Sequence, residues 1–185
     1  WLVQLANGYY LYGHFNPIIA LLAWTFLRHR GEYPRVRRLL GLLTAAAFVV
    51  HFIPVAPPRL VPQLGFRDVA LEYGQSVYGS FGAGIPGQLL AMPSLHVGWA
   101  ILLAYVVITI SSSRWRWLIL IHPIAMSVVV AVTANHWWAD GIVCGLLLVL
   151  CVSADRAGTR VLAALRTTEP EPILPAAIPA LGDLR

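Results

Sequence analysis

Long apolar runs separated by short polar clusters set the pattern of this chain. Five runs stand out. The first extends from about Tyr9 to Leu27 and is interrupted by His14, Asn16 and Pro17. The second covers Leu39 to Ala56, the third Leu95 to Ile110, the fourth Trp117 to Ala134 and the fifth Trp138 to Val152. At about 1.5 Å per residue, a helix of about 18 residues reaches about 27 Å, enough for a hydrocarbon core. The pattern predicts an all-α fold, a polytopic membrane helical bundle with five spans visible. Between the second and third runs lies a long glycine-rich loop, Pro57 to Met92, carrying Phe66, Tyr73, Tyr78 and Phe81. A loop of that length in a compact protein is usually functional or disordered. From Asp155 the chain turns polar and then proline-rich, with Pro170, Pro172, Pro175 and Pro179, which predicts a flexible tail. The expected division is a membrane-embedded domain over 1–154 and a cytoplasmic tail over 155–185. No internal repeat is visible.

Composition strengthens the membrane reading. The chain is 58% hydrophobic and 11% charged, with mean hydropathy +0.71, whereas a soluble domain carries about 25% charge. The net charge of +5 comes from arginine, with no lysine anywhere. Those arginines fall between the apolar runs, as membrane loops require, so nucleic acid is not an expected partner. Cys144 and Cys151 lie seven apart in one run, near one helical face, stacked rather than bridgeable. They read as small buried apolar residues. No signal peptide is visible ahead of the first run.

Arginine positions set the orientation. Arg28, Arg30, Arg35, Arg37 and Arg38 follow the first run, Arg114 and Arg116 sit between the third and fourth, and Arg156, Arg160 and Arg166 follow the fifth. The opposite side holds Arg59 and Arg67. The positive-inside rule makes the arginine-rich side cytoplasmic. Alternating the five spans satisfies every loop and leaves Trp1 outside, which predicts a sixth span upstream.

With that topology, polar residues from separate stretches converge on the outer face. "PVAPPRLVP" ends the second run and delivers Arg59. "AMPSLHVGWA" opens the third with Ser94 and His96, and "TANHWWADGIVCG" carries His136 and Asp140 into the fifth. Ionisable groups at membrane depth are functional candidates by default. His136 and Asp140, spaced i,i+4, are neighbours on a helix. The carboxylate can accept from one imidazole nitrogen and leave the other as nucleophile or base. Pro93 suits the first position of a helix, and the amides after it, with the Ser94 hydroxyl, suit an anion. His96 lies close enough to pass that anion a proton, and Arg59 offers a planar fork for phosphate oxygens.

Each motif alone has a plainer reading, a helix-end hydrogen bond or a polar first turn. Their joint placement with Arg59 favours a site. A zinc or iron site built from His96, His136 and Asp140 is the alternative. The set can serve phosphate without metal, and outer-face carboxylates are few (Asp68, Glu72, Asp140), so neither metal nor cofactor is expected. His29 reads as solvated among arginines, and His122, before Pro123, as a packing or kink residue. His51, His14 and Asn16 are further candidates within reach of the site. Trp99, Trp137, Trp138 and Tyr105 read as interface anchors or packing.

At these residues the sequence resembles the type 2 phosphatidic acid phosphatase superfamily, most closely the inositolphosphotransferase branch that contains fungal inositol phosphorylceramide synthase and bacterial relatives. The resemblance rests on "AMPSLHVGWA", "TANHWWADGIVCG" and "PVAPPRL" and extends over roughly Gly8 to Val152. It implies a helical bundle, usually of six spans, with a metal-free site at the membrane surface. His136 then matches the nucleophilic histidine that forms a phosphohistidine, and Asp140 the carboxylate that orients it. His96 matches the histidine that protonates the leaving oxygen and later activates the acceptor. Ser94 matches the phosphate-binding serine, and Arg59 the first-motif arginine. Two cations of the phosphatase branch are missing: Val129 and Val130 stand where it has Ser-Arg, and Phe52 where it has lysine. Arg67 is a candidate to compensate from the loop, and Pro-Ser-Leu-His fits the transferase-like branch better.

The expected protein is an integral membrane enzyme of a bacterial plasma membrane with its site facing outside. It moves a phosphoryl or phospho-headgroup from a lipid phosphate or phosphodiester, through His136, to an alcohol or to water. The loop from Pro57 to Met92 is expected to cover the site and admit the lipid sideways. A lipid-headgroup carrier and a catalytically silent scaffold are the rival readings; turnover separates the carrier, and the complete His-His-Asp set disfavours the scaffold.

Overall fold

The apolar runs fold as helices whose ends are set by prolines and caps rather than by hydropathy. The structure is a computed structural model and describes residues 1–76 and 88–167. Helix α1 spans Leu2–Arg28 without a break. Its polar residues do not interrupt it, and Pro17 sits inside it, so only the hydrogen bond to the Gly13 carbonyl is lost there. Helix α2 spans Tyr33–Val50, with Pro34 in its first turn, where a missing N–H costs nothing. It stops short of the expected Ala56 because Ile53 precedes Pro54, a position that disfavours helix. Two 3-10 turns follow, Pro58–Leu60 and Pro62–Leu64, and then the short helix α3, Val69–Glu72, capped by Asp68.

Helix α4 covers Leu95–Ile110. The fourth run begins as a 3-10 helix, Arg114–Leu120, capped by Ser113, and continues as α5, Ile121–Val132. Helix α6 runs from Trp138 to Thr167, well past Val152. Tyr78, Phe81 and the tail prolines from Pro170 to Pro179 lie outside the described residues.

Helix α4 is the centre of the bundle and packs against α1, α2, α5 and α6. Leu39, Leu43, Leu102, Val106 and Cys144 form its buried core. The outer faces are apolar as well: Phe15, Phe48, Ile124, Ile142, Leu146 and Val149 are exposed. Such a face on a soluble protein would mark an interaction or aggregation surface; a bundle hydrophobic all round suits lipid. Two stretches, Arg114–Val132 and Trp138–Leu165, are long and apolar enough to cross a membrane.

At one end of the bundle a buried carboxylate ties the helices. Asp155 accepts from Arg38 Nε at 2.6 Å and Arg35 Nε at 3.2 Å. Tyr105 Oη accepts from Arg35 at 2.9 Å and from Arg156 at 3.3 Å. The candidate site lies at the other end.

Candidate active site

After α2 the chain doubles back on the segment that leads into α4. Val55 N–H donates to the Leu89 carbonyl at 2.8 Å, and Ala91 N–H to the Val55 carbonyl at 3.1 Å. This pairing holds the Arg59 turn beside the approach to Ser94. Arg59 is only 5% exposed. Its N–H donates to the Ala134 carbonyl at 2.9 Å. The guanidinium donates through Nε to Asn135 Oδ1 at 3.2 Å and through Nη1 to Gln88 Oε1 at 3.1 Å, with Asp68 Oδ2 at 3.6 Å.

Ser94, fully buried, is the N-cap of α4. Its hydroxyl accepts from Val97 N–H at 3.5 Å, and its own N–H donates to the Asp140 carbonyl at 3.0 Å. Pro93 was expected at the first helical position; it precedes the cap, because Ser94 takes the extended backbone that a capping side chain needs. His96 falls in the first turn, as expected.

His136 and Asp140 are close, but not along one helix. α6 starts at Trp138, and the chain reaches it through Ala134 at φ 55°, a left-handed backbone uncommon for any residue but glycine. His136 Nδ1 lies 2.7 Å from the Ala91 carbonyl and 3.4 Å from Asp140 Oδ2. A carbonyl only accepts, so Nδ1 carries the hydrogen of this contact, and in the neutral ring the lone pair then lies on Nε2. The expected tautomer is therefore held chiefly by a backbone oxygen. Asp140 has a further partner: its Oδ2 accepts from Trp137 N–H at 2.8 Å, reaching back across the first turn as the acidic member of a capping box does.

The rings of His96 and His136 are neighbours, with centroids 5.7 Å apart and planes tilted by 52°. Arg67 does not join them. It is exposed, and its fork is taken by Glu72 at 2.8 and 3.0 Å. His51 lies behind the α4 entry, its Nε2 3.3 Å from the Pro93 carbonyl. Asn16 is exposed on α1, and His122 pairs with Tyr9 Oη at 2.6 Å, away from this cluster. Trp137 donates its indole N–H to the Ala56 carbonyl at 2.9 Å and carries Phe66 against its ring, so it anchors the loop. Among the described residues no three His, Cys, Asp or Glu side chains are placed to share a metal ion.

Helix α1 contributes more than sequence reasoning assigned to it. Asn7, Tyr10 and His14 share one face, and Tyr10 and His14 stack on His96. Asn7 and Tyr10 line a small polar pocket with Arg59, Asp68, Gln75 and Asn135. Their i, i+3, i+7 spacing was the available signal, a polar stripe inside an apolar run.

Among the described residues, a helical bundle with an apolar exterior, two stretches long enough to cross a membrane and a histidine cluster at one end suits a membrane protein. The family model for the PAP2 superfamily matches residues 1–154, and the chain belongs to that superfamily. Its members are generally phosphatases, and membership points to a phosphatase- or phosphotransferase-type activity. No curated protein and no solved structure matches the chain.

Proposed function

We propose that the protein is a lipid phosphotransferase or phosphatase working through a phosphohistidine on His136. The observation that carries this reading is the His136 contact: with Nδ1 donating to the Ala91 carbonyl, the neutral ring keeps its lone pair on Nε2, and that ring lies 5.7 Å from the His96 ring, centroid to centroid. The Nε2 lone pair attacks phosphorus, a P–N bond forms, and the P–O bond to the leaving group breaks. The electron pair leaves on that oxygen, which takes a proton from His96. His96 then takes a proton from the acceptor, whose oxygen attacks phosphorus and returns the pair to Nε2. Arg59, Ser94 and the first amides of α4 bind the phosphoryl oxygens, since phosphoryl transfer rests mainly on positioning and charge stabilisation.

Two further observations bear on the substrate. An apolar groove of about 250 Å³ between α4, α5 and α6 is lined by Val97, Ile101, Val130, Trp137 and Ile142. It starts at the chain neighbours of both histidines, which suits a lipid tail beside a phosphate. Among the described residues Arg59 is the one cation brought to this cluster, and Val129 and Val130 occupy α5 where the phosphatase branch carries Ser-Arg. That favours the inositolphosphotransferase-like branch, with an alcohol rather than water as acceptor. In this reading five helices span the membrane and the site faces outside.

Product analysis tests it, using purified protein in detergent with EDTA and labelled lipid phosphates and phosphodiesters. Turnover is expected to persist in EDTA and to fall by about 10³-fold or more in His136→Ala. A new phospholipid rather than free phosphate identifies the transferase. Headgroup binding without turnover would make the protein a carrier and sink the proposal.

A further inference from the structure

The ring of His96 is covered on both faces. Tyr10 stacks on one at 4.1 Å with an interplanar angle of 17°, and His14 on the other at 4.0 Å and 29°. His14 is itself backed by Trp99 at 4.5 Å and 6°. Trp99 is fixed in turn, because its indole N–H donates to Thr44 Oγ1 of α2 at 3.1 Å. Four rings from α1 and α4 thus form one continuous stack. Tyr10 and His14 sit one turn apart on α1, about 6 Å at 1.5 Å per residue, and splay to admit the imidazole between them. His14 is nine-tenths buried, and its Nδ1 has no hydrogen-bond partner. It is therefore held through its faces. No hydrogen bond joins it to His96, so the contact is a stack rather than a proton path.

We infer that His14 is a positioning residue for His96: the stack it closes holds the His96 ring edge-on to the phosphoryl group and lets it deliver its proton along one line. The inference rests on the role proposed above for His96. A ring gripped on both faces can meet substrate only by its edge, and freedom to tilt would spoil the transfer geometry on which acid catalysis depends. Trp99 and Thr44 complete the chain of support, so the orientation of His96 is referred to α1 and α2, outside the helix that carries it.

The test compares His14→Leu, which keeps bulk without a ring, with His14→Phe, which keeps the ring without its nitrogens. Both run with wild type on phenyl phosphate and p-nitrophenyl phosphate. The two esters are similar in shape, but phenoxide is the more basic leaving group and depends more on the acid. In His14→Leu, kcat/KM for phenyl phosphate is expected to fall about tenfold or more, and for p-nitrophenyl phosphate less than about threefold. His14→Phe is expected to stay within about threefold of wild type on both. Equal losses on the two esters in His14→Leu, no loss at all, or a His14→Phe as impaired as His14→Leu would each overturn the positioning role. A wild type inert on both esters, and on the lipid panel, would instead overturn the reading of the site and this role with it.

Discussion

Arg59 is engaged before any substrate arrives, and its partners differ in what a phosphate must displace. Asn135 and Gln88 are neutral acceptors at 3.2 and 3.1 Å, whereas Asp68, at 3.6 Å from Nη1, presents the same anionic oxygens that a phosphate brings. Asp68 is the competitor. Asp68→Asn keeps the shape and removes the charge, so inorganic phosphate should inhibit about two- to fivefold more tightly, as expected for losing a long, partly buried ion pair worth about 0.4–1 kcal/mol. Weaker or unchanged phosphate inhibition in that variant would show that Arg59 does not receive the phosphoryl oxygens. The residues of the candidate site were largely legible at this scale, because Ser94, His96, His136 and Asp140 stand in short motifs whose side chains announce their chemistry. The partner closest to His136 was not. The Ala91 carbonyl belongs to a backbone position 45 residues away, and a main-chain oxygen leaves no mark on residue identity. Arg67 shows the opposite case: its charge is visible in the sequence, but its fork is taken by Glu72 only five residues on, a pairing as local as any motif.

The glycine of the "PSLHVG" stretch acts between elements. A Cβ on Gly98 would overlap the Cys144 sulfur, so α4 and α6 approach each other at a point where only a hydrogen fits. The helix that carries Ser94 and His96 is thereby set against the helix that carries Asp140. Gly98→Ala is expected to destabilise the bundle by about 1–3 kcal/mol, the usual cost of overpacking, read as a lowered Tm in detergent. Adding Cys144→Ala removes the sulfur and should recover most of that loss, a positive coupling in a double-mutant cycle. Additive losses would mean that the contact between the two helices is not the cause. Helix existence and order were legible from the apolar runs, but helix ends were not. α2 starts at Tyr33 and closes at Val50 because of Pro34 and Pro54, while α1 runs through Pro17 despite its polar residues. Hydropathy reports burial in lipid, not where a backbone hydrogen bond is lost. It also hid the shared face of Asn7, Tyr10 and His14 on α1: His14 alone stood out, as an interruption of the run and a candidate near the site, whereas Tyr10 and His14 together form the wall against which His96 rests.

The described part of the molecule is polarised between two ends, so the orientation of one end fixes that of the other. The Ser94, His96, His136 and Arg59 cluster gathers at one end; Arg35, Arg38 and Arg156 gather at the other around Asp155 and Tyr105. Arg35 and Arg38 therefore have two roles. The positive-inside rule would retain them in the cytoplasm, and they hold a carboxylate only 1% exposed that fastens α2 to α6. That pairing argues against reading them as topology signals alone, yet both roles require the same placement, since the arginine side chains remain 31% and 46% exposed and need water or headgroups at that end. If that end is cytoplasmic, the site is outside. Single cysteines at exposed positions of the two ends decide it: Gln63→Cys in the turn after Arg59, and Ser112→Cys between α4 and the Arg114–Leu120 helix. The native Cys144 and Cys151 are buried in α6 and contribute little background. In intact cells a membrane-impermeant maleimide should label Gln63→Cys and leave Ser112→Cys unmodified until the membrane is permeabilised. The reverse pattern would put the site in the cytoplasm, and the lipid proposed as substrate would then have to come from the inner leaflet.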